Sequence, residues 1–175
     1  MKNSSADQIR SFLFPSPVGM LEIQEKKGAI AGVLFRPSEK KASSSPALSP
    51  VMELCLEELE EYFRGIRRTF TVPLHLEGTP FQKRVWQALL EIPYGETRSY
   101  QDIAAAVGNP KAPRAVGGAN NKNPVALIVP CHRVIGKNGS LVGFGGGLHI
   151  KEWLLAHEKR HASESRKNSP GVSAQ

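Results

Sequence analysis

Ser99-Tyr100-Gln101-Asp102-Ile103-Ala104-Ala105-Ala106-Val107-Gly108-Asn109-Pro110-Lys111-Ala112-Pro113-Arg114-Ala115-Val116-Gly117-Gly118-Ala119-Asn120 is the stretch on which the fold turns. Ser99 has the short polar side chain that caps a helix, Ile103 and Val107 fall inward, and Gly108 supplies the stop. Asn109-Pro110-Lys111-Ala112 makes a tight connection. Pro113, with its fixed φ, suits the first position of a second short helix carrying Arg114, Val116, Gly117, Gly118 and Asn120. Two short helices with a glycine-containing turn, the second small and basic, read as a helix-turn-helix. Helical hairpins that bind nothing share this pattern, so the pattern leaves both readings open. Ala115, Gly117 and Gly118 would leave the second helix slim enough to approach a groove wall, and helix N-termini attract phosphate.

Upstream, Thr79-Pro80-Phe81-Gln82 predicts a capping box with proline at the first helical position. Phe81, Val85, Trp86, Leu89 and Leu90 form its buried stripe, and Pro93 ends it. Before Leu76-Glu77-Gly78 the pattern changes. Phe12 to Phe14, Met20 to Gln24 and Ala29 to Phe35 are apolar runs between turn signals, which predicts an antiparallel meander. Lys40 to Pro50 reads as a flexible loop. Ser49 then caps a helix whose apolar face holds Met52, Cys55, Leu56, Leu59 and Phe63, with Gly65 as its stop. Cys55 on that face is a core thiol. A last strand is expected over Thr69 to Leu74. The expected organisation is a mixed α/β domain over 1–76, a mainly helical domain over 77–160, and a disordered basic, Ser-rich tail over 161–175.

Composition narrows the classes. The 175 residues are 40% hydrophobic and 22% charged, as in ordinary globular chains. The longest apolar run, Val125 to Val129, is too short to span a membrane. Met1 to Asp7 lacks an apolar core, so no secretory signal is expected. Two cysteines, Cys55 and Cys131, give no disulfide framework and fit a reducing compartment, hence the cytoplasm (the nucleoid, in a bacterium). The formal charge is +7. No acidic residue occurs from Ile103 to Lys151, a stretch containing Lys111, Arg114, Lys122, Arg133, Lys137 and Lys151. This is either a phosphate-contacting surface or a solvated basic face.

Val125 to Val129 reads as a buried strand delivering Pro130-Cys131-His132-Arg133-Val134. A cysteine beside a histidine and an arginine sits in electropositive surroundings that lower its pKa and favour the thiolate. A buried strand-end thiol beside a solvated histidine fits those residues equally well.

Pro130-Cys131-His132-Arg133-Val134 resembles the active-site motif of the O6-alkylguanine-DNA alkyltransferases. The resemblance extends through Thr79-Pro80-Phe81-Gln82, Ser99-Tyr100-Gln101, Arg114 to Ala119, Asn123-Pro124, Gly145-Gly146-Gly147 and Lys151 to Glu158, in order. It implies a ribonuclease H-like N-terminal domain and a winged-helix-like C-terminal domain. It also implies irreversible transfer of an alkyl group, methyl or larger, from O6-alkylguanine or O4-alkylthymine in double-stranded DNA. Cys131 would be the acceptor, used once. His132 would take its proton through a water, Glu158 would orient the imidazole, and Asn123 would brace the turn holding Cys131. Tyr100 would press on the target phosphate and give its proton to the departing guanine. Val134, Phe144, Gly145 and Gly146 would line the base pocket. Arg114 would fill the gap left by the flipped nucleotide, with Lys111, Ala115, Gly117, Gly118 and Asn120 also on the DNA face. A monomer, with cooperative binding along DNA as an option, and no cofactor are expected.

Three positions depart from the family's common pattern. Phe144 replaces a tyrosine, Gly145 a serine or alanine, and Pro113 a small helix former. The small loop at Gly145 is expected to leave room for alkyl groups larger than methyl. His157-Glu158-Lys159-Arg160-His161 fits a zinc-protease pattern, but its two intervening basic residues oppose a cation, and no metal is expected. Two alternatives remain in view. One is a catalytically silent lesion-binding relative, which would lack the acceptor cysteine; the other is a cysteine hydrolase using Cys131, His132 and Glu158.

Overall fold

The computed structural model describes residues 8–37 and 47–168. The loop expected from Lys40 to Pro50 falls largely outside them, as do residues 169–175. The N-terminal meander forms as the apolar pattern predicts: β1 (Arg10–Ser16), β2 (Gly19–Lys26) and β3 (Ala29–Arg36) pair antiparallel in sequence order. Phe14 lies opposite Leu21 and Ile23 opposite Val33, so one face is continuously apolar. That face packs on α1 (Pro50–Phe63), where Ser49 caps the helix through Met52 N.

Cys55, fully buried on α1, has its thiol pushed up to about 12 by burial and by nearby Glu58. Glu58 shares the buried side of the helix and sets the conformation of Thr69 to Leu74. Its carboxylate accepts the backbone N–H groups of Thr71 and Val72 and pairs with Arg67 at 3.3 Å. Those donors are therefore unavailable for a ladder, and Pro73 has none. The strand expected over Thr69 to Leu74 does not form; it is reduced to one parallel bridge, Ile30 to Leu74.

The second domain contains α2 (Pro80–Leu90), β4 (Arg98–Ser99), α3 (Tyr100–Ala106), α4 (Pro113–Asn121), β5 (Val134–Ile135) and α5 (Leu148–Asn168). Reciprocal capping boxes at Thr79/Gln82 and Ser99/Asp102 start α2 and α3. Trp86 of α2 is buried and donates its indole N–H to Ala119 O at 2.8 Å, locking α2 against α4. β4 pairs parallel with β5 through Arg98–Val134 and Ser99–Ile135.

The disordered tail expected from residue 161 is not what the described part shows, because α5 continues to Asn168. Its later turns are held by neighbours. Arg68 donates to His161 O at 3.0 Å, and Ala162 sits so close to Gly95 that a Cβ there would be 2.8 Å away. No described helix is long and apolar enough to cross a membrane.

Candidate active site

Asn123 organises the segment that carries the chemistry. Its Oδ1 accepts from Val125 N at 3.0 Å and its Nδ2 donates to Val129 O at 2.8 Å. Drawing those two residues together curls the chain, so the buried strand expected over Val125 to Val129 is instead a buried turn. Val129 N donates to Val125 O at 3.0 Å, and only Val125 bridges to the sheet, beside Val33. Leu127 completes the curl at φ +72, a left-handed conformation that costs a branched side chain about 1–2 kcal/mol. Its full burial offsets that cost. Cys131–Arg133 then form one 3-10 turn, which sends three consecutive side chains in different directions.

Cys131 is 5% exposed. Burial pushes its thiol up, while the Asn123 side chain and the Lys151 ammonium pull it back. The expected lowering by adjacent His132 and Arg133 is overturned. Arg133 turns away from the sulfur: Nε donates to Glu158 Oε2 at 2.8 Å, Nη2 to Glu158 Oε1 at 3.0 Å and Nη1 to Ile92 O at 2.7 Å. Raised in this way, the thiol is neutral at pH 7, and a neighbouring base would be needed to ionise it.

His132, the next residue in the chain, is the candidate for such a base. It is fully buried, and its Nε2 lies 2.7 Å from Glu158 Oε1. Burial holds the ring's pKa below its usual value, against the pull of Glu158. A carboxylate cannot donate, so the neutral ring carries its proton on Nε2. Nδ1 is left as the basic nitrogen, buried and without a hydrogen-bond partner among the described residues. Glu158 is kept well below the usual carboxylate range, against its own burial, by His132 and Arg133. It also accepts Gly95 N at 3.1 Å and the Tyr62 hydroxyl at 2.8 Å.

Three groups of this centre are given no role by the sequence reading, although Arg133 and Lys151 fall within its quoted motifs. Arg133 and Lys151 fall in the basic stretch, yet Arg133 is 5% exposed and Lys151 fully buried. Lys151 Nζ donates to Val134 O and Val142 O, with the Tyr100 ring centroid 5.9 Å away. Tyr62 belongs to no motif. Its one signal is its position seven residues after Cys55, which puts it on the α1 stripe, where a buried phenol needs a partner.

Beside this centre, Tyr100, Pro113, Arg114, Gly117, Asn121, Val142 and Gly143 line an open cleft of about 330 Å³. The Tyr100 hydroxyl donates to Val142 O at 3.0 Å, and burial raises its pKa. None of the residues expected to line a base pocket lines this cleft. Val134 is fully buried, with its strand paired to β4. Phe144 packs edge-on against Phe35 at 5.5 Å, and a Cβ at Gly146 would lie 2.9 Å from the same ring. Gly145 faces open space, so Val142 and Gly143 form the loop side of the cleft.

Arg114, Ala115, Gly118, Lys111 and Lys122 are exposed, on or next to α4. Asn120, expected on the DNA face, is 3% exposed and donates to Cys131 O at 3.3 Å; it points into the protein because it shares the α4 side that carries Val116. The described residues contain no cluster of His, Cys, Asp and Glu placed to hold a metal ion. His157 is committed to Tyr62 O and His161 to His157 O.

A buried cysteine–histidine–glutamate set beside a helix-turn-helix defines a DNA-directed protein with a nucleophilic thiol. Family models agree with that class. The ribonuclease-like domain of 6-O-methylguanine DNA methyltransferase matches residues 9–76, and its DNA binding domain matches residues 80–160. The chain belongs to the 6-O-methylguanine DNA methyltransferase family. It is 50% identical to the methylated-DNA–protein-cysteine methyltransferase of Methanosarcina acetivorans over 149 residues, covering 83% of this chain and 96% of that one. To the constitutive enzyme of that name in Bacillus subtilis it is 47% identical over 151 residues, 82% of this chain and 92% of that one. A crystal structure of Mycobacterium tuberculosis O6-methylguanine methyltransferase superposes with a TM-score of 0.77 at 43% identity, covering 88% of this chain and 94% of that one. The Mycobacterium tuberculosis OGT structure in complex with DNA gives 0.77 at 44% identity, over 87% and 93%.

Proposed function

We propose that this protein repairs alkylated DNA by moving the alkyl group from O6 of guanine to Sγ of Cys131, once per molecule. The observation that carries this reading is the buried His132–Glu158 pair next in the chain to Cys131, with His132 Nδ1 left without a hydrogen-bond partner among the described residues and so available as a base. DNA docks on α4, where exposed Arg114 and the flanking Lys111 and Lys122 meet phosphate or the gap left by the extruded base. His132 Nδ1 accepts the Cys131 proton through a water. The sulfur then attacks the saturated alkyl carbon, the S–C bond forms, and the C–O6 bond breaks with its electron pair on guanine. Tyr100 gives its phenol proton to the leaving base and recovers one from the imidazolium, so the thiol proton ends on guanine. The product is a thioether with no carbonyl for water to attack, which makes the transfer irreversible.

The same chemistry extends to O4-alkylthymine, and the open cleft accommodates groups larger than methyl. A monomer suffices for this chemistry, since Cys131, His132, Glu158 and Tyr100 of a single chain supply each step. Its two free cysteines support a reducing compartment, the cytoplasm, as its location. A silent lesion-binding role is not favoured, because the acceptor sulfur is present. Cys131→Ser tests the reading: it retains affinity for O6-methylguanine DNA and gains no methyl mass. Methyl uptake by the serine variant, or repeated turnover by the unaltered protein, would overturn it.

A further inference from the structure

Glu158 Oε1 is shared across the two domains. His132 Nε2 lies 2.7 Å from it, Arg133 Nη2 3.0 Å, and the hydroxyl of Tyr62 2.8 Å. Tyr62 is fully buried on α1, in the domain that otherwise supplies no group to the reaction. Its backbone is tied to α5 as well, through His157 Nε2 to Tyr62 O at 2.8 Å, one residue before Glu158. With Gly95 N and Arg133 Nε on the other oxygen, five donors meet a carboxylate with about four lone-pair sites. The donors on Oε1 therefore compete.

We infer that Tyr62 is a positioning residue for alkyl transfer: its hydroxyl fixes Glu158 from the N-terminal domain and moderates the carboxylate's pull on His132. This rests on the reading of His132 as the base for Cys131. Without the hydroxyl, Oε1 would have fewer donors, and the imidazolium form of His132 would gain from the stronger acceptor. The ring would then hold a proton at higher pH and lose its base function there. Other charges and titrating groups facing the pair are Arg133 on its own turn, Cys131 beside it, Lys151 and His157 on α5, and Tyr94 in the turn after α2. None is altered by a change at Tyr62 that keeps the ring.

The test is Tyr62→Phe, read by the pH dependence of the single-turnover rate on O6-methylguanine DNA and by NMR titration of the His132 ring. The acid limb and the ring titration should both move up by about 0.5–1 pH unit, the equivalent of one hydrogen bond. At alkaline pH the two rates should converge, and DNA affinity should be unchanged. Superimposable limbs and ring titrations would overturn the inference while leaving alkyl transfer by the unaltered protein intact. If the unaltered protein transferred no alkyl group, the underlying reading would fail instead. The ring titration also covers a variant of reduced stability, since it reports on folded protein without DNA.

Discussion

The Tyr100 hydroxyl donates to the carbonyl oxygen of Val142 at 3.0 Å, joining the start of α3 to the loop before α5 across the cleft. To protonate a leaving guanine it must release that carbonyl, and burial has kept its proton in place. Tyr100→Phe should slow alkyl transfer about a hundredfold or more, the scale of one lost general acid. Affinity for alkylated DNA should change little, and rapid-quench single-turnover assays beside binding titrations would show the two effects apart.

Gly118 sits within α4 where a Cβ would meet nothing within 4 Å, and Gly117 would make only ordinary contact with Tyr100 at 3.9 Å. A helix-interior glycine costs about 1 kcal/mol relative to alanine. The fold has no internal need for Gly118. Gly118→Ala should therefore raise the melting temperature while weakening binding to DNA, measured by calorimetry and fluorescence anisotropy. Stabilisation with unchanged DNA affinity would show that α4 does not approach DNA through this face.

Much of the architecture is legible in the sequence because its signals are local. Capping residues at Thr79, Ser99 and Ser49, and Pro113 at its helix start, mark boundaries within a single turn of chain. The features that escape a sequence reading involve groups whose partners lie far along the chain. Thr71 and Val72 read as strand until Glu58 is seen to take their N–H groups. Arg133, Lys151 and Asn120 carry polar side chains that sequence assigns to the surface by default; each is buried by a partner 9 to 41 residues away. Periodicity puts Tyr62 on the right face but cannot show that Glu158, 96 residues on, receives it.

Acid should unfold this protein in two stages. His132 and His157 are held below their usual pKa by burial, so the unfolded chain binds protons that the fold refuses, and stability falls as pH drops below about 6.5. Glu158 is depressed, so its contribution is whole above the unfolded value of about 4.3 and is lost as pH falls toward its folded value. Urea titrations at stepped pH would show both slopes. A stability that stays flat between pH 7 and 5 would contradict the first.

Glu158→Gln leaves Arg133 buried without its counter-charge and His132 without its carboxylate. It should cost about 3–5 kcal/mol of stability at pH 7, the usual result of removing one partner of a buried pair. The second acid stage should shrink by the share of Glu158, readable in the same urea series, while Glu22, Glu77 and Asp102 keep theirs.

Lys122 is exposed just after α4, with no role in the buried centre. Lys122→Ala should weaken binding to any duplex about equally and reduce the slope of log affinity against log salt by about one. A loss confined to alkylated DNA would assign Lys122 to the lesion instead.

The two-residue pairing of Arg98–Ser99 with Val134–Ile135 has a mechanical consequence. One strand leads directly into Tyr100 and the other directly out of the Cys131 turn, so the hook proposed to grip a damaged nucleotide and the atom proposed to receive its burden share a single splice. Damage therefore need not be sought by a roving sulfur: wherever the helical pair comes to rest on a duplex, the gauge from phosphate to acceptor is already set.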